Sequence, residues 1–212
     1  MTLTLHGYWR SGAAWRVRIG LALKGLDHTA VAHDLRRGEQ ASPAYRALNP
    51  QGLVPALDTG EAVLTQSLAI LEWLEDVCPT PALLPADPLA RAQVRGLAQL
   101  IASDVHPLHN LRVLQALRQD FGADEAQVQA WIGGWIGKGL TALEAQVARH
   151  GGRFAYGDAP TIADCCLVPQ VYAARRFKVD LADFPRVVAI EAHCAALPAF
   201  QRAHPDCQGD AP

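Results

Sequence analysis

A serine at a strand-to-helix turn is the first candidate for chemistry in this chain. Residues 8–12 read Tyr-Trp-Arg-Ser-Gly and connect a short apolar strand to a helical pattern, so the Ser11 hydroxyl is expected at the start of a helix. The first backbone N–H groups of a helix have no partner within it, and the helix dipole is positive at that end. This turn is therefore predicted to hold a thiolate or another anion.

Two further segments extend this candidate site. The Val54-Pro55 pair enters a predicted strand and leaves a backbone edge with which a peptide-like ligand can pair, and the Gln66-Ser67 pair begins a predicted helix, where it suits a carboxylate. Together with Ser11, they describe a pocket for a small acidic peptide. Each also has a simpler interpretation, in which the two serines only cap their helices and the proline only opens a strand.

The motifs, in this order, resemble those of the glutathione transferase superfamily, specifically its zeta class of maleylacetoacetate and maleylpyruvate isomerases. The resemblance covers nearly the whole chain. It also includes the stretches ALNPQGLVP at 47–55, LLPAD at 83–87, DVHPL at 104–108, GDAPTIAD at 157–164, LVPQV at 167–171 and RFKVDL at 176–181. It implies an α/β thioredoxin-like N-terminal domain (residues 1–80), an all-α C-terminal domain (residues 88–212), and a homodimer.

By this resemblance the cofactor is glutathione, and Ser11 stabilises its thiolate. A thiol with a pKa of roughly 8.5 to 9 is mostly protonated at neutral pH, and lowering that pKa by about two units takes about 2.7 kcal/mol. A hydroxyl hydrogen bond and the helix N-terminus supply that amount together. The resemblance also implies a cis proline at position 55. The implied glutathione-binding residues are Ser11, Gln51, Val54, Pro55, Gln66, Ser67 and Asp104, the last acting on a neighbouring subunit's glutathione.

The chain departs from the family motif directly after its serine. The zeta motif usually reads Ser-Ser-Cys after the arginine, whereas this chain has Ser11, Gly12 and Ala13. Relatives of the maleylpyruvate type also carry glycine at the second position, so we interpret the change as a shift within the group. Maleylacetoacetate and maleylpyruvate both remain candidate substrates.

Three arginines have no role in a glutathione site. Arg10 precedes the serine, Arg112 extends an apolar stripe through residues 105–108, and Arg176 continues the apolar face of a later helix. A guanidinium on an apolar face needs a partner, and a dianionic keto acid offers one. Arg112 pairing with a local acid and Arg176 complementing its helix end are the alternatives. The expected catalytic residues are Ser11, Arg10 and Arg176, and the expected substrate-binding residues are Arg10, Arg112, Arg176 and His106.

The expected activity is glutathione-dependent cis–trans isomerisation of a maleyl keto-diacid in aromatic catabolism, with glutathione regenerated in each turnover. Two alternatives remain open. One is a zeta-type transferase that consumes glutathione by conjugation or α-haloacid dehalogenation. The other is a glutathione-binding module without catalysis.

The composition limits the other classes. The chain has 212 residues, of which 50% are hydrophobic and 19% charged, with a formal net charge of −2, so it lacks the basic excess typical of nucleic-acid binding. No apolar run reaches the roughly 18 residues of a membrane span, and no signal peptide is visible. Adjacent Cys165 and Cys166 are predicted to be buried thiols, which favours the reducing cytoplasm. His106, His109 and Asp104 are interpreted as structural or cleft-lining residues, so no metal is expected.

The N-terminal pattern alternates strands and helices. Strands are predicted at residues 2–6 and 29–32, with a helix between them that buries Ala14, Val17 and Leu21 and carries three basic residues on its other faces. A hairpin is predicted around residues 58–61, followed by a helix with Glu75 on its outer face.

After a proline-rich linker at residues 79–88, the pattern is helical. A stripe through Val94 and Val105 is expected to bend at Pro107, and a long helix is expected from about residue 124 to 149, with Gly133, Gly134, Gly137 and Gly139 indicating close helix contact. A further helix is expected to begin at Thr161 with a capping box. The tail from about residue 204 is expected to be loosely held.

Overall fold

The computed structural model describes residues 2–212. They form two compact units, one built from the residues up to Leu83 together with residues 195–212, and the other from Leu84–Cys194. The predicted domains, 1–80 and 88–212, are assigned by resemblance and stay a prediction. The strands are β1 Thr4–Gly7, β2 Thr29–Ala32, β3 Ala56–Asp58 and β4 Val63–Thr65. The helices are α1 Gly12–Lys24, α2 Pro43–Leu48, α3 Ser67–Val77, α4 Pro88–Gln99, α5 Leu111–Gln119, α6 Glu125–His150, α7 Ile162–Arg176, α8 Pro185–Ala195 and α9 Pro198–Ala203.

The first unit contains a mixed sheet with the strand order β2-β1-β3-β4. Strand β1 is parallel to β2 and antiparallel to β3, and β3 forms the predicted hairpin with β4. Leu57 lies opposite Leu5 on one side and Leu64 on the other, and both Leu5 and Leu57 are buried. The predicted α/β character of this part of the chain is confirmed.

Helix α1 is buried on all faces, which its sequence pattern did not predict. Ala14, Val17 and Leu21 face the core as expected, but Arg16 and Arg18 are buried as well. The helix packs against α3 on one side and against α9, from the C-terminal end of the chain, on another. A charged face that points to solvent in an isolated helix is therefore covered here.

A buried ion pair corrects the prediction that Glu75 lies on the outer face of α3. The Lys24 ammonium donates to Glu75 Oε2 at 2.6 Å, and both side chains are nearly inaccessible. Lys24 also donates to the Pro81 carbonyl oxygen, and the backbone N–H of Leu83 donates to the same Glu75 oxygen at 2.8 Å. The pair ties α1 and α3 to the proline-rich segment.

The second unit is helical, as predicted. The stripe that starts in α4 buries Val94 and Val105, continues through a π-helical turn at Leu100–Val105, and ends in a 3-10 turn at His106–His109. Asn110 then caps a separate helix, α5, which places Arg112 in its first turn and exposed. The prediction that Arg112 extends the apolar stripe is therefore wrong, because the chain changes direction at Asn110.

The two long helices of this unit begin where the sequence indicates. Asp124 caps α6, and among residues 2–212 the predicted close contact of its glycines occurs at Gly139, where an added Cβ would lie 2.1 Å from the Val105 side chain. At Gly133, Gly134 and Gly137 an added Cβ would meet no atom of the described residues within 4 Å, so the predicted contact is not formed there within this part of the chain. Thr161 and Asp164 form the predicted capping box of α7.

The interior of α7 contains an acid and two thiols. Asp164 is fully buried and accepts hydrogen bonds from Ala155 N, Thr161 N and Thr161 Oγ1, while burial raises its pKa to about 6. Cys165 and Cys166 are buried thiols that form no disulfide, as predicted, and burial raises the pKa of Cys165. Over residues 2–212, none of the helices has the length and hydropathy required to span a membrane.

Candidate active site

The Ser11 turn joins β1 to α1. Ser11 N donates to the Tyr8 carbonyl oxygen at 2.9 Å, and Ser11 Oγ accepts from Ala14 N at 3.3 Å, so the serine caps the helix. A hydroxyl that accepts one bond keeps its proton for donation. The cap therefore leaves the Ser11 O–H able to donate to an anion, next to the N–H groups of Gly12 and Ala13 at the positive end of the dipole.

The loop before β3 presents an open backbone edge at Val54. The Val54–Pro55 peptide bond is cis, as the resemblance implies. Tyr45 Oη and Asn49 Nδ2 both donate to the carbonyl oxygen of Leu53 at 2.7 Å. Burial raises the pKa of Tyr45 to about 12, which keeps this phenol protonated. Within residues 2–212, no hydrogen bond uses the backbone N–H or C=O of Val54, so both remain for an extended ligand.

The Gln66-Ser67 pair lies where β4 passes into α3. Gln66 has a φ of 67°, which is uncommon for a residue other than glycine and is a frequent feature of binding sites. Its side-chain amide donates to Gln51 Oε1 at 2.8 Å. Ser67 is buried, and its Oγ accepts from the buried Arg16 Nη1 at 3.3 Å. The pair therefore has a guanidinium directly behind it, which suits a carboxylate ligand.

The sheet register brings these three segments to the same end of the sheet. His6 pairs with Ala56 in β1 and β3, and Ala56 pairs with Thr65 in β4. The Ser11 turn follows β1, Val54-Pro55 precedes β3, and Gln66 follows β4, so all three leave the sheet at the same end. Three predicted glutathione-binding segments are thus adjacent in the first unit.

Residues that hold these segments in place were not predicted from the sequence. Tyr45 and Asn49 orient the loop that contains Val54, and Arg16 lies behind Ser67. Asn49 lies inside the ALNPQGLVP stretch, and its position between a helix end and a proline is a local turn signal. Arg16 carries no such signal, because its contact with Ser67 spans 51 positions of the chain.

The remaining predicted residues occupy other surroundings. In the first unit, Arg10 is half-buried, with its guanidinium 5.1 Å from the ring centroid of Trp9. In the second, Arg176 is the exposed last residue of α7 and lies 4.2 Å from the ring of Phe177. Arg112 and Asp104 are exposed there.

His106 and His109 of the second unit lie next to each other. The ring of His106, which is half-buried, lies 5.3 Å from that of His109. His109 is buried and lies within hydrogen-bond distance of the Gln170 side chain, at 3.2 Å, which is a structural role. In the part of the chain that the structure describes, no cluster of three or more His, Cys, Asp or Glu residues suits a metal ion.

Comparison with known proteins decides the family. The model of the glutathione S-transferase N-terminal domain matches residues 10–77, and that of the C-terminal domain matches residues 112–190. Maleylacetoacetate isomerase of Pseudomonas aeruginosa is 52% identical over 99% of both chains. The chain belongs to the glutathione S-transferase family.

Solved structures of other glutathione S-transferases match the whole chain. The holo structure of a maleylpyruvate isomerase, described as a bacterial zeta-class enzyme, is 52% identical with a TM-score of 0.96, and the match covers 99% of this chain and 100% of that one. Maleylacetoacetate isomerase of Anaeromyxobacter dehalogenans, with glutathione in its active site, is 50% identical with a TM-score of 0.91, covering 100% and 98%. The predicted zeta-class membership and glutathione transferase fold are confirmed.

Proposed function

We propose that the protein is a glutathione-dependent isomerase that converts maleylacetoacetate or maleylpyruvate to its fumaryl isomer. The observation that carries the proposal is the register that places the Ser11 turn, Val54 and Gln66-Ser67 at one end of the sheet. Relatives named for both substrates are about equally similar to the chain, at 52% identity. The relatives therefore support one type of reaction, whereas maleylacetoacetate and maleylpyruvate both remain candidate substrates.

The first unit fits glutathione by the chemistry of its donors. The unpaired N–H and C=O of Val54 suit the cysteinyl backbone of the tripeptide, while Gln66, Ser67 and Gln51 suit its terminal carboxylates. When bound, glutathione supplies a thiolate whose reversible addition to the conjugated double bond permits rotation. The role of Ser11 is to donate a hydrogen bond to that sulfur, supported by the helix N-terminus.

The three arginines are assigned to the substrate rather than to glutathione. Arg10, Arg112 and Arg176 bind the two carboxylates of the maleyl keto-diacid, and Arg10 and Arg176 also stabilise the negative charge that develops on its keto oxygen. His106 lines the substrate pocket. Residues 1–80 then form the glutathione-binding domain and residues 88–212 the substrate-binding domain.

The proposal includes a homodimer in which Asp104 approaches the neighbouring subunit's glutathione, on the basis of the family resemblance. It also places the protein in the cytoplasm, which the five cysteine thiols support because a reducing compartment preserves them.

An assay with both cis substrates, with and without glutathione, tests the activity. We expect conversion that requires glutathione and falls strongly in Ser11→Ala, and the ratio of kcat/KM values identifies the physiological substrate. Unchanged conversion in Ser11→Ala, with substrate affinity also unchanged in the arginine variants, would contradict the proposal. Consumption of glutathione by electrophiles without isomerisation would instead indicate a conjugating transferase.

A further inference from the structure

Both backbone groups of Trp9, two positions before Ser11, are held by residues outside the turn. Trp9 N donates to Asp210 Oδ2 at 2.8 Å. Its carbonyl oxygen accepts from Arg18 Nη2 at 2.7 Å. Arg18 Nη1 also donates to the Tyr8 carbonyl oxygen at 3.4 Å, so the peptide groups that lead into the serine turn are bound on two sides.

The C-terminal segment that supplies Asp210 is itself anchored, which corrects the prediction that the tail is loosely held. Gln208 Nε2 donates to the carbonyl oxygens of Arg202 and His204 at 3.1 and 2.8 Å. The ring of His204 packs edge-on against Trp15 of α1 at 5.2 Å. These contacts follow a short turn at Pro205–Cys207 that directs the chain back towards β1.

Arg18 connects the Trp9 peptide to the C-terminal segment. It is 5% exposed, and its Nε donates to the Ala203 carbonyl oxygen at 3.1 Å, at the end of α9. Burial lowers the pKa of Arg18 to about 10, and the negative charge of Asp210 acts in the opposite direction. A buried cation that is bound to three carbonyl oxygens benefits from a nearby carboxylate, so Asp210 stabilises Arg18 as well as Trp9.

We propose that Asp210 is a positioning residue for the reaction, and that the C-terminal tail, through Asp210 and Arg18, sets the place of the Ser11 hydroxyl. This inference rests on the proposed function of Ser11 as the thiolate donor. A shift in the Trp9 peptide moves the start of α1 and the Ser11 side chain, and hydrogen bonds to a thiolate weaken steeply with distance and angle.

The test uses three variants of the full chain. Asp210→Ala removes the acceptor for Trp9 N, and Asp210→Asn keeps an oxygen acceptor but removes the charge. Asp206→Ala is the matched control, because this exposed acid of the same tail pairs with His204 and not with Trp9. Two readouts separate positioning from stability: hydrogen exchange of the Trp9 amide without glutathione, and the pKa of the bound glutathione thiol from its ultraviolet thiolate absorbance.

In Asp210→Ala we expect about five- to tenfold faster exchange at Trp9 and a rise of about one unit in the bound thiol pKa. The kcat at neutral pH should fall up to about tenfold while the KM for glutathione changes little. Asp210→Asn should recover part of the thiol pKa, and Asp206→Ala should match the parent protein.

Three results would overturn the inference, and the first two separate it from the function on which it rests. If the parent protein lowers the pKa of the bound thiol and both Asp210→Ala and Asp210→Asn give the same value, Asp210 has no positioning role, while the role of Ser11 stands. If the parent protein binds glutathione without lowering its thiol pKa, the proposed roles of Ser11 and Asp210 are both wrong. If the thiol pKa rises as much in Asp206→Ala as in Asp210→Ala, the effect comes from general loosening of the tail, which would also refute a positioning role for Asp210.

Discussion

The side-chain amide of Gln66 donates to Gln51 Oε1 at 2.8 Å and joins the start of α3 to the loop that precedes Val54. Both side chains are exposed. An exposed amide pair adds little to stability, whereas each amide also suits a ligand carboxylate. Together with the φ of 67° at Gln66, this pair indicates that Gln51 and Gln66 belong to a binding site.

Replacement of the two glutamines tests this feature. Gln66→Ala and Gln51→Ala are each expected to weaken glutathione binding by about 1 kcal/mol, or roughly fivefold, with kcat little changed. Because the side chains contact each other, the double variant should lose less than the sum of the single losses. Calorimetric titration with glutathione measures all three. Strictly additive losses would show that the contact is irrelevant to binding.

Ser11→Ala separates catalysis from helix capping. We expect a loss of about ten- to a hundredfold in kcat/KM, because the hydrogen bond to a charged sulfur contributes about 1.5–3 kcal/mol. The lost cap should also cost about 1 kcal/mol of stability.

Ser42→Ala is the matched control for Ser11→Ala. Ser42 caps α2 and accepts from Tyr45 N at 3.3 Å, the same distance as in the Ser11 cap. Urea unfolding and steady-state kinetics should show similar stability losses in both variants, with the kinetic loss confined to Ser11→Ala. Equal kinetic losses would assign Ser11 to capping alone.

Adjacent arginines at the end of α7 offer a test of substrate binding. Arg176→Ala is expected to raise the KM for the maleyl substrate about tenfold or more and to leave glutathione affinity unchanged. Arg175→Ala is the control, since Arg175 pairs with Glu191 at 2.8 Å and is exposed. If the two variants raise KM equally, Arg176 has no specific role.

The buried Lys24–Glu75 pair predicts a stability effect without a catalytic one. Glu75→Leu leaves the ammonium buried without its carboxylate and the Leu83 N–H without its acceptor, so it should lower the free energy of unfolding by about 3–5 kcal/mol. Lys24→Met combined with Glu75→Gln removes both charges and keeps an acceptor for Leu83. Urea unfolding should find this double variant more stable than Glu75→Leu, and the reverse order would contradict the assignment.

A histidine pair predicts how stability depends on pH. His6 Nδ1 lies 3.0 Å from His33 Nε2, and burial is the main cause that lowers the pKa of each ring. The His6 charge lowers the pKa of His33 further, whereas Asp58 and Glu39 partly oppose these shifts. Since folding favours the neutral rings, their stabilising contribution is present above the unfolded pKa of about 6.5 and is lost as pH falls below it.

His33→Gln keeps a hydrogen-bond partner for His6 but does not titrate, so it should flatten the fall in unfolding free energy between about pH 7 and pH 5. Half-buried His28, whose pKa is also lowered by burial, remains and preserves part of the slope. A slope in His33→Gln as steep as in the parent protein would refute the role of the pair.

Local signals in the sequence predicted the parts of the molecule that neighbouring residues determine. The Ser11 turn, the β3–β4 hairpin and the Thr161 capping box each depend on a few consecutive residues, and the structure contains all of them. The cis peptide bond at Pro55 was predicted by family resemblance rather than from spacing. The roles of the individual site residues stay predictions that the variants above test.

Contacts between distant parts of the chain account for what the sequence did not predict. Helical periodicity predicts which residues share a face of α1, but it does not reveal that α9, whose Ala203 lies 185 positions after Arg18, covers the face with Arg18. Likewise, Glu75 is typical of an exposed helix position until Lys24 and the Leu83 backbone N–H are placed beside it. The support of the Ser11 turn by Asp210 spans 201 positions.

Free thiol counted before and after complete conversion of a maleyl keto-diacid tests the central claim most directly. An isomerase that uses glutathione as a catalyst predicts full conversion to the fumaryl product by a small amount of glutathione, with the thiol titre unchanged. A thiol loss that equals the substrate converted would contradict the account and show that the protein consumes glutathione by conjugation.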